Sequence, residues 1–150
     1  MANLRFNGSL WCNVDIALRN LDRVYAEVAN PLGLTVVEWY ILRALYAEDC
    51  QNPSKLAQAV GRAATSFTPL LDGLEQKNLV KRAADPKDRR AIKVCLTERG
   101  KSLRNQVLAS ASEIDARIER EFSKAEWETF KRILAQLQQS SVAEAVRGGD

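Results

Sequence analysis

Between Leu79 and Leu96 the spacing of apolar residues falls from three-and-four to two, and no other feature restricts the fold as much. Leu79-Val80-Lys81-Arg82 and Ile92-Lys93-Val94-Cys95-Leu96 alternate as half-buried strands do, and Asp85-Pro86 supplies turn chemistry between them. The spacing predicts a two-stranded hairpin. Just upstream, Pro53 suits the first turn of a short helix, where its missing N–H costs little, with Leu56, Ala57 and Val60 facing inward. Gly61 stops that helix, and Ala64 to Lys77 resumes helical spacing through Phe67, Leu70, Leu71 and Leu74.

Two short helices across a tight turn form a helix-turn-helix, and a hairpin placed directly after it is a wing. Lys87, Arg89 and Arg90 fall at the tip of that wing. Longer amphipathic helices are expected on both sides. Leu10, Val14, Leu18, Leu21, Tyr25 and Val28 recur on one face from about Ser9 to Ala29, and Thr35 with Glu38 forms a capping box opening a helix through about Ala47. Thr97 is expected to cap one long helix carrying Leu103, Val107, Ala111, Ile114, Ile118 and Phe122. Ser123 with Glu126 is a second capping box, for a last helix carrying Trp127, Phe130, Ile133, Leu134 and Leu137. The tail from Glu144 to Asp150 is expected to fray.

The expected fold class is mainly α, with one small β element: a winged helix-turn-helix lobe over about 35–97, and long helices in 1–34 and 98–146 whose apolar faces need a partner. At 150 residues the chain fits one domain. A two-fold homodimer is the commonest way to bury such faces.

Charge is concentrated in the middle. Residues 53–104 carry twelve basic and five acidic side chains (+7), whereas 1–52 carry four and six (−2) and 105–150 carry six and eight (−2). A basic module between mildly acidic arms suits a polyanion. Histidine is absent, which removes the usual base of hydrolytic catalysis and makes a zinc site unusual. With no glycine-rich phosphate loop either, no enzyme activity, metal or cofactor is expected. Neither a membrane-spanning run nor a secretory signal is seen, so the expected location is cytoplasmic, without membrane partners. Cys12, Cys50 and Cys95, three at irregular spacing, are read as reduced thiols.

In order and spacing, Leu56-Ala57, Leu70-Leu71-Asp72-Gly73-Leu74-Glu75-Gln76-Lys77-Asn78-Leu79-Val80, Asp85-Pro86-Lys87-Asp88-Arg89-Arg90 and Leu96-Thr97-Glu98-Arg99-Gly100 resemble the MarR family of winged-helix regulators. The resemblance covers nearly the whole chain. It implies a homodimer formed by the terminal helices, a recognition helix in the major groove of double-stranded DNA, and a pseudo-palindromic operator, whose half-sites a two-fold dimer places about one helical turn apart.

Carried residue by residue, the resemblance places Arg62, Ala64, Thr65, Ser66 and Thr68 at the turn and amino-terminal half of the recognition helix. It makes Asp88 an internal salt-bridge partner shaping the wing, inserts Arg90 into the minor groove, and sets Lys87 and Arg89 near phosphates. Pro69 stands where an arginine is frequent in the family, and Gly73 where a charged residue is frequent. Regulators of this family commonly respond to anionic aromatic ligands or to thiol oxidation. Trp11, Tyr25, Trp39 and Tyr40 are the candidate effector-pocket residues. Cys12, near the start of the first helix, is the candidate redox sensor, because the hydroperoxide-sensing branch has a cysteine in this region and a recognition helix resembling Thr68-Pro69-Leu70-Leu71. Cys50 and Cys95 have no recognisable sensor context. The alternative is a winged helix that docks protein without specific DNA binding, against which the clustering of Lys87, Arg89 and Arg90 argues.

Overall fold

Each helix start that the sequence marks with a local cap is a cap in the computed structural model, which describes residues 4, 5, 7–88 and 90–139. The Ser9 hydroxyl accepts the Cys12 N–H and starts α1 (Leu10–Ala29). A 3₁₀ turn over Asn30–Leu32 ends at Gly33, whose left-handed φ of 72° reverses the chain into α2 (Val36–Ala47). Thr35 and Glu38 form the expected box, since the Thr35 hydroxyl accepts the Glu38 N–H while the Glu38 carboxylate accepts the Thr35 N–H. Helix α3 (Pro53–Ala59) carries Pro53 in its first turn, and Gly61, at φ 65°, turns the chain toward α4 (Ala64–Gln76).

Strand β1 (Val80–Ala84) extends two residues beyond the expected end and pairs antiparallel with β2 (Ile92–Leu96), from Val80 opposite Leu96 to Ala84 opposite Ile92. The chain divides into two compact units, Met1–Ala111 and Ser112–Asp150. In the first, Ile41, Leu42 and Leu45 of α2, Leu56 of α3, Phe67, Leu71 and Leu74 of α4, and Val94 of β2 make one core. Each such side chain contributes roughly 1.5–3 kcal/mol through removal from water. In the second, Ser123 and Glu126 box the start of α7 (Lys124–Gln138), and Trp127 lies between Phe122 and Phe130, with ring centroids 6.2 and 5.6 Å away. Residues Glu144 to Asp150 lie outside the described residues.

The long helix expected after Thr97 is broken. Thr97 caps α5 (Glu98–Ser102), the chain turns at Leu103, and α6 (Arg104–Glu119) begins afresh. A tertiary contact accounts for the break. The Tyr46 hydroxyl donates to the Gly100 carbonyl at 2.7 Å, taking the acceptor that the Arg104 N–H would use in a continuous helix. The Ser102 hydroxyl likewise bonds the Arg99 carbonyl at 2.7 Å. Burial pushes the Tyr46 phenol up to about 12, so this donor stays protonated at neutral pH.

One buried carboxylate ties α2 to α4. Glu38, 5% exposed, pairs with Lys77 Nζ at 2.6 Å, and Lys77 also donates to the Gly33 carbonyl. A Cβ at Gly73 would lie 3.0 Å from Glu38 Oε1, so the glycine makes room for this carboxylate where the family often has a charged residue. Glu38→Gln is expected to cost about 2 kcal/mol, between the value of an exposed pair and that of a fully buried one, read from the urea unfolding midpoint. A change below about 0.5 kcal/mol would remove the pair from the account of how α4 is held.

Candidate nucleic-acid interface

Only one stripe of α4 is committed to the core. Phe67, Leu71 and Leu74 are buried, while Arg62, Ala63, Ala64, Thr65, Ser66, Thr68 and Pro69 are exposed. The five candidate contacts of the sequence analysis in this region, Arg62, Ala64, Thr65, Ser66 and Thr68, therefore share an open surface. Ala63 at the N-cap supplies no side-chain acceptor. The Ser66 N–H donates to the Ala63 carbonyl at 3.1 Å, so the Ala64 and Thr65 N–H groups, together with the positive end of the helix dipole, are what the first turn offers an outside anion.

Behind this helix the wing is fixed by a contact that periodicity does not reveal. Arg82 on β1 pairs with Asp72 at 2.7 Å and with Glu75, both on α4, and its backbone N–H donates to Glu75 Oε1 at 2.8 Å. Partial burial disfavours this guanidinium's charge, but hydrogen bonds and attraction from Asp72 and Glu75 outweigh burial and raise its pKa. The wing thereby takes its position from α4.

The tip is shaped by two aspartates. Asp85 Oδ1 accepts the Lys87 N–H at 2.9 Å, and Asp88 Oδ1 accepts the Arg90 N–H at 3.0 Å. The Lys87 N–H first, then Lys93, hold the Asp85 carboxyl below its ordinary 3.8. Lys87, Asp88 and Arg90 are exposed, and Arg89 lies outside the described residues. Among the described residues the wing-loop ion pair is Asp85 with Lys93 at 3.3 Å, whereas Asp88 acts through its backbone acceptor role.

Elsewhere the candidates separate. Trp39, 3% exposed, packs on Tyr25 at 5.5 Å, donates its indole N–H to Ser110, and lies under Arg43. Trp11 and Tyr40 are exposed instead. Cys12 sits in the first turn of α1, part-buried and as a free thiol.

Reading Cys50 and Cys95 as reduced thiols is corrected by the structure, which joins them in a disulfide. The reason is register. Gln51 and Val94 exchange both backbone hydrogen bonds, at 3.1 and 2.8 Å, making the α2–α3 connection a short second partner of β2, beside β1. The next pair outward, Cys50 and Cys95, then occupies a non-hydrogen-bonded position, where antiparallel chains approach most closely, and their Cα atoms are 4.0 Å apart. Cys50 adopts a left-handed φ of 58°, held there by Gln51 on one side and by Asp49, whose carboxylate accepts the Leu96 N–H at 2.8 Å, on the other.

A helix-turn-helix whose second helix is exposed along its amino-terminal half, followed by a wing bound to that helix, defines a winged-helix regulator lobe. Comparison with known proteins agrees. Residues 34–92 match the model of the MarR family. The HTH-type transcriptional regulator SarZ of Staphylococcus epidermidis is 31% identical over 114 residues, which are 76% of this chain and 74% of that one. SarZ of Staphylococcus aureus is 28% identical over 113 residues, 75% and 74% of the two chains. Among solved structures, a probable transcriptional regulator from Pseudomonas aeruginosa superposes with a TM-score of 0.69 at 29% identity, covering 83% of this chain and 96% of that one. The transcriptional repressor CouR, solved on a 23-mer DNA duplex, has the same fold, with a TM-score of 0.79 at 21% identity over 92% of this chain and all of that one (100%). The chain belongs to the MarR family of winged-helix transcriptional regulators, a family of regulators and not of enzymes. Among the described residues no helix is long and apolar enough to cross a membrane.

Proposed function

We propose that the protein is a cytoplasmic, sequence-specific regulator that binds pseudo-palindromic duplex DNA as a homodimer and represses transcription until a small ligand or thiol oxidation releases it. The observation that carries the DNA reading is the open amino-terminal half of α4, uncapped and flanked by a basic wing that Arg82 holds to the same helix. Helix N–H groups and wing cations position a duplex through its phosphates, and the exposed Thr65, Ser66 and Thr68 face base edges.

Apolar surface supports the dimer. Leu10, Trp11, Val14 and Leu18 on α1 are all exposed, as are Phe130, Ile133, Leu134 and Leu137 on α7, each set forming one helical face. Such continuous stripes call for a protein partner, and a second copy supplies the symmetry that an inverted repeat reads. For release, Cys12 is the residue to oxidise, going from thiol to sulfenic acid at the expense of a hydroperoxide. Peroxide is expected to release DNA from the unaltered protein and to leave Cys12→Ser bound.

Fluorescence anisotropy with a labelled random duplex, repeated across a salt series, tests the DNA reading. Log affinity should fall linearly with log salt, by about 0.9 for each phosphate neutralised. A protein that fails to bind duplex at low salt would instead be a protein-docking winged helix.

A further inference from the structure

The Cys50–Cys95 bridge opens onto a cleft of about 380 Å³ in which Lys81, Lys93 and Lys101 are the basic side chains. Neither cysteine belongs to the DNA-facing surface, and the bridge is separate from Cys12. The geometry points to a thiol–disulfide exchange site for a small thiol bearing carboxylates.

Three observations converge on that ligand chemistry. Cys50 is the more accessible of the two residues, whereas Cys95 is 9% exposed on β2, so an incoming thiolate reaches the Cys50 sulfur first. The three ammonium groups complement carboxylates on the entering molecule and favour the thiolates that exchange produces. Lys81 is exposed, and the Lys101 pair with Glu98 at 3.0 Å joins two exposed side chains, a contact that an incoming carboxylate can replace. Lys93 keeps Asp85 as a neighbour at 3.3 Å. The one carboxylate beside the sulfurs, Asp49, is engaged through Oδ1 by the N–H groups of Cys50 and Leu96 at 2.7 and 2.8 Å.

The exchange balances in two steps. A small thiolate attacks Cys50 Sγ, forming a mixed disulfide, and the S–S electron pair leaves on Cys95 Sγ, which takes a proton from water. A second small thiolate then attacks the small-molecule sulfur, releasing the small disulfide and the Cys50 thiolate, which is protonated in turn. The bridge gains two electrons and two protons, and two thiols are oxidised to one disulfide. Run backwards, the small disulfide closes the bridge.

The test uses the full chain and needs no DNA, so its outcome is independent of the proposed function. The bridged protein is incubated with glutathione, which carries two carboxylates, or at equal concentration with cysteamine, which carries only an amine, then alkylated and weighed intact. Glutathione is expected to open the bridge about ten-fold faster than cysteamine, the size of effect that local charge exerts on encounter. Cys95→Ser, which has no bridge, is treated instead with oxidised glutathione: the Cys50 thiolate attacks that disulfide and releases one glutathione thiol, and the resulting mixed disulfide should map to Cys50. Replacing Lys81, Lys93 and Lys101 together by Gln should abolish the preference while circular dichroism stays unchanged. Equal rates for the two thiols, faster opening by cysteamine, or an adduct confined to Cys12 would overturn the assignment.

Discussion

Gly100→Ala is expected to cost about 3 kcal/mol of folding stability, at the upper end of what forced overpacking does, because the added methyl has no route of escape. A Cβ on Gly100 would lie 2.1 Å from the Leu79 carbonyl oxygen. That oxygen is backbone, and it already accepts the Thr97 N–H at 3.1 Å. The same small region holds the Thr97 hydroxyl between the Asn78 carbonyl and the Gly100 N–H, and the Tyr46 hydroxyl on the Gly100 carbonyl. Relief therefore requires α5 to move away from the start of β1, breaking several of these bonds together. Urea unfolding reads the result. With a slope of about 1.5 kcal/mol per molar, the midpoint should drop by about 2 M. A shift below about 0.3 M would show that α5 does not lie against Leu79 as described.

Arg90→Ala is expected to weaken duplex binding by about 10- to 100-fold and to lower the salt slope by about one, while the urea midpoint stays within the usual range of a surface change. The tip positions this arginine through the Asp88 carboxylate, which accepts the Arg90 backbone N–H and leaves the exposed side chain unconstrained by that bond. An arginine delivered by a wing gains from the negative potential of a narrow minor groove. Anisotropy across a salt series measures both quantities. Unchanged affinity at every salt concentration would move the minor-groove contact away from this residue.

The parts of this fold legible from sequence are those set by neighbours three or four residues apart. Thr35 with Glu38, and Ser123 with Glu126, are boxes whose partners lie within one turn, and both occur as read. Pro53 and Gly61 act through their own backbone restrictions, so the helix-turn-helix boundaries follow from them. The β2 segment Ile92–Leu96 occurs where the alternation puts it, but burial does not follow the alternation: Val94, Cys95 and Leu96 are all buried, because Gln51 pairs along the second edge of the strand, and Ile92 is exposed.

What escaped depends on partners far along the chain. The break at Leu103 follows from the Tyr46 hydroxyl, 54 residues away from the carbonyl it takes. The bridge between Cys50 and Cys95, 45 residues apart, follows from the register of a single Gln51–Val94 pairing that no local pattern encodes. Arg82 looked like one more charge on a strand until Asp72 and Glu75 were brought beside it. Those two acids lie three residues apart on α4, so a shared face was the available signal, without any indication of which cation would meet it.

The proposed DNA surface divides in the same way. Exposure of Arg62, Thr65, Ser66 and Thr68 follows from the spacing of Phe67, Leu71 and Leu74, which commits the opposite stripe to the core. The identity of the bases does not follow, because hydroxyls accept and donate without the fixed fork of an arginine, and Pro69 occupies a position where the family often places one.

The central claim is that two copies of this lobe read inverted half-sites, and selection of bound fragments from a random duplex library tests it most directly. The enriched fragments should share an inverted repeat whose half-site centres lie about 10 base pairs apart, or a multiple of that turn. Enrichment of a single half-site without its inverted mate would contradict the account, as would recovery of fragments with no shared sequence.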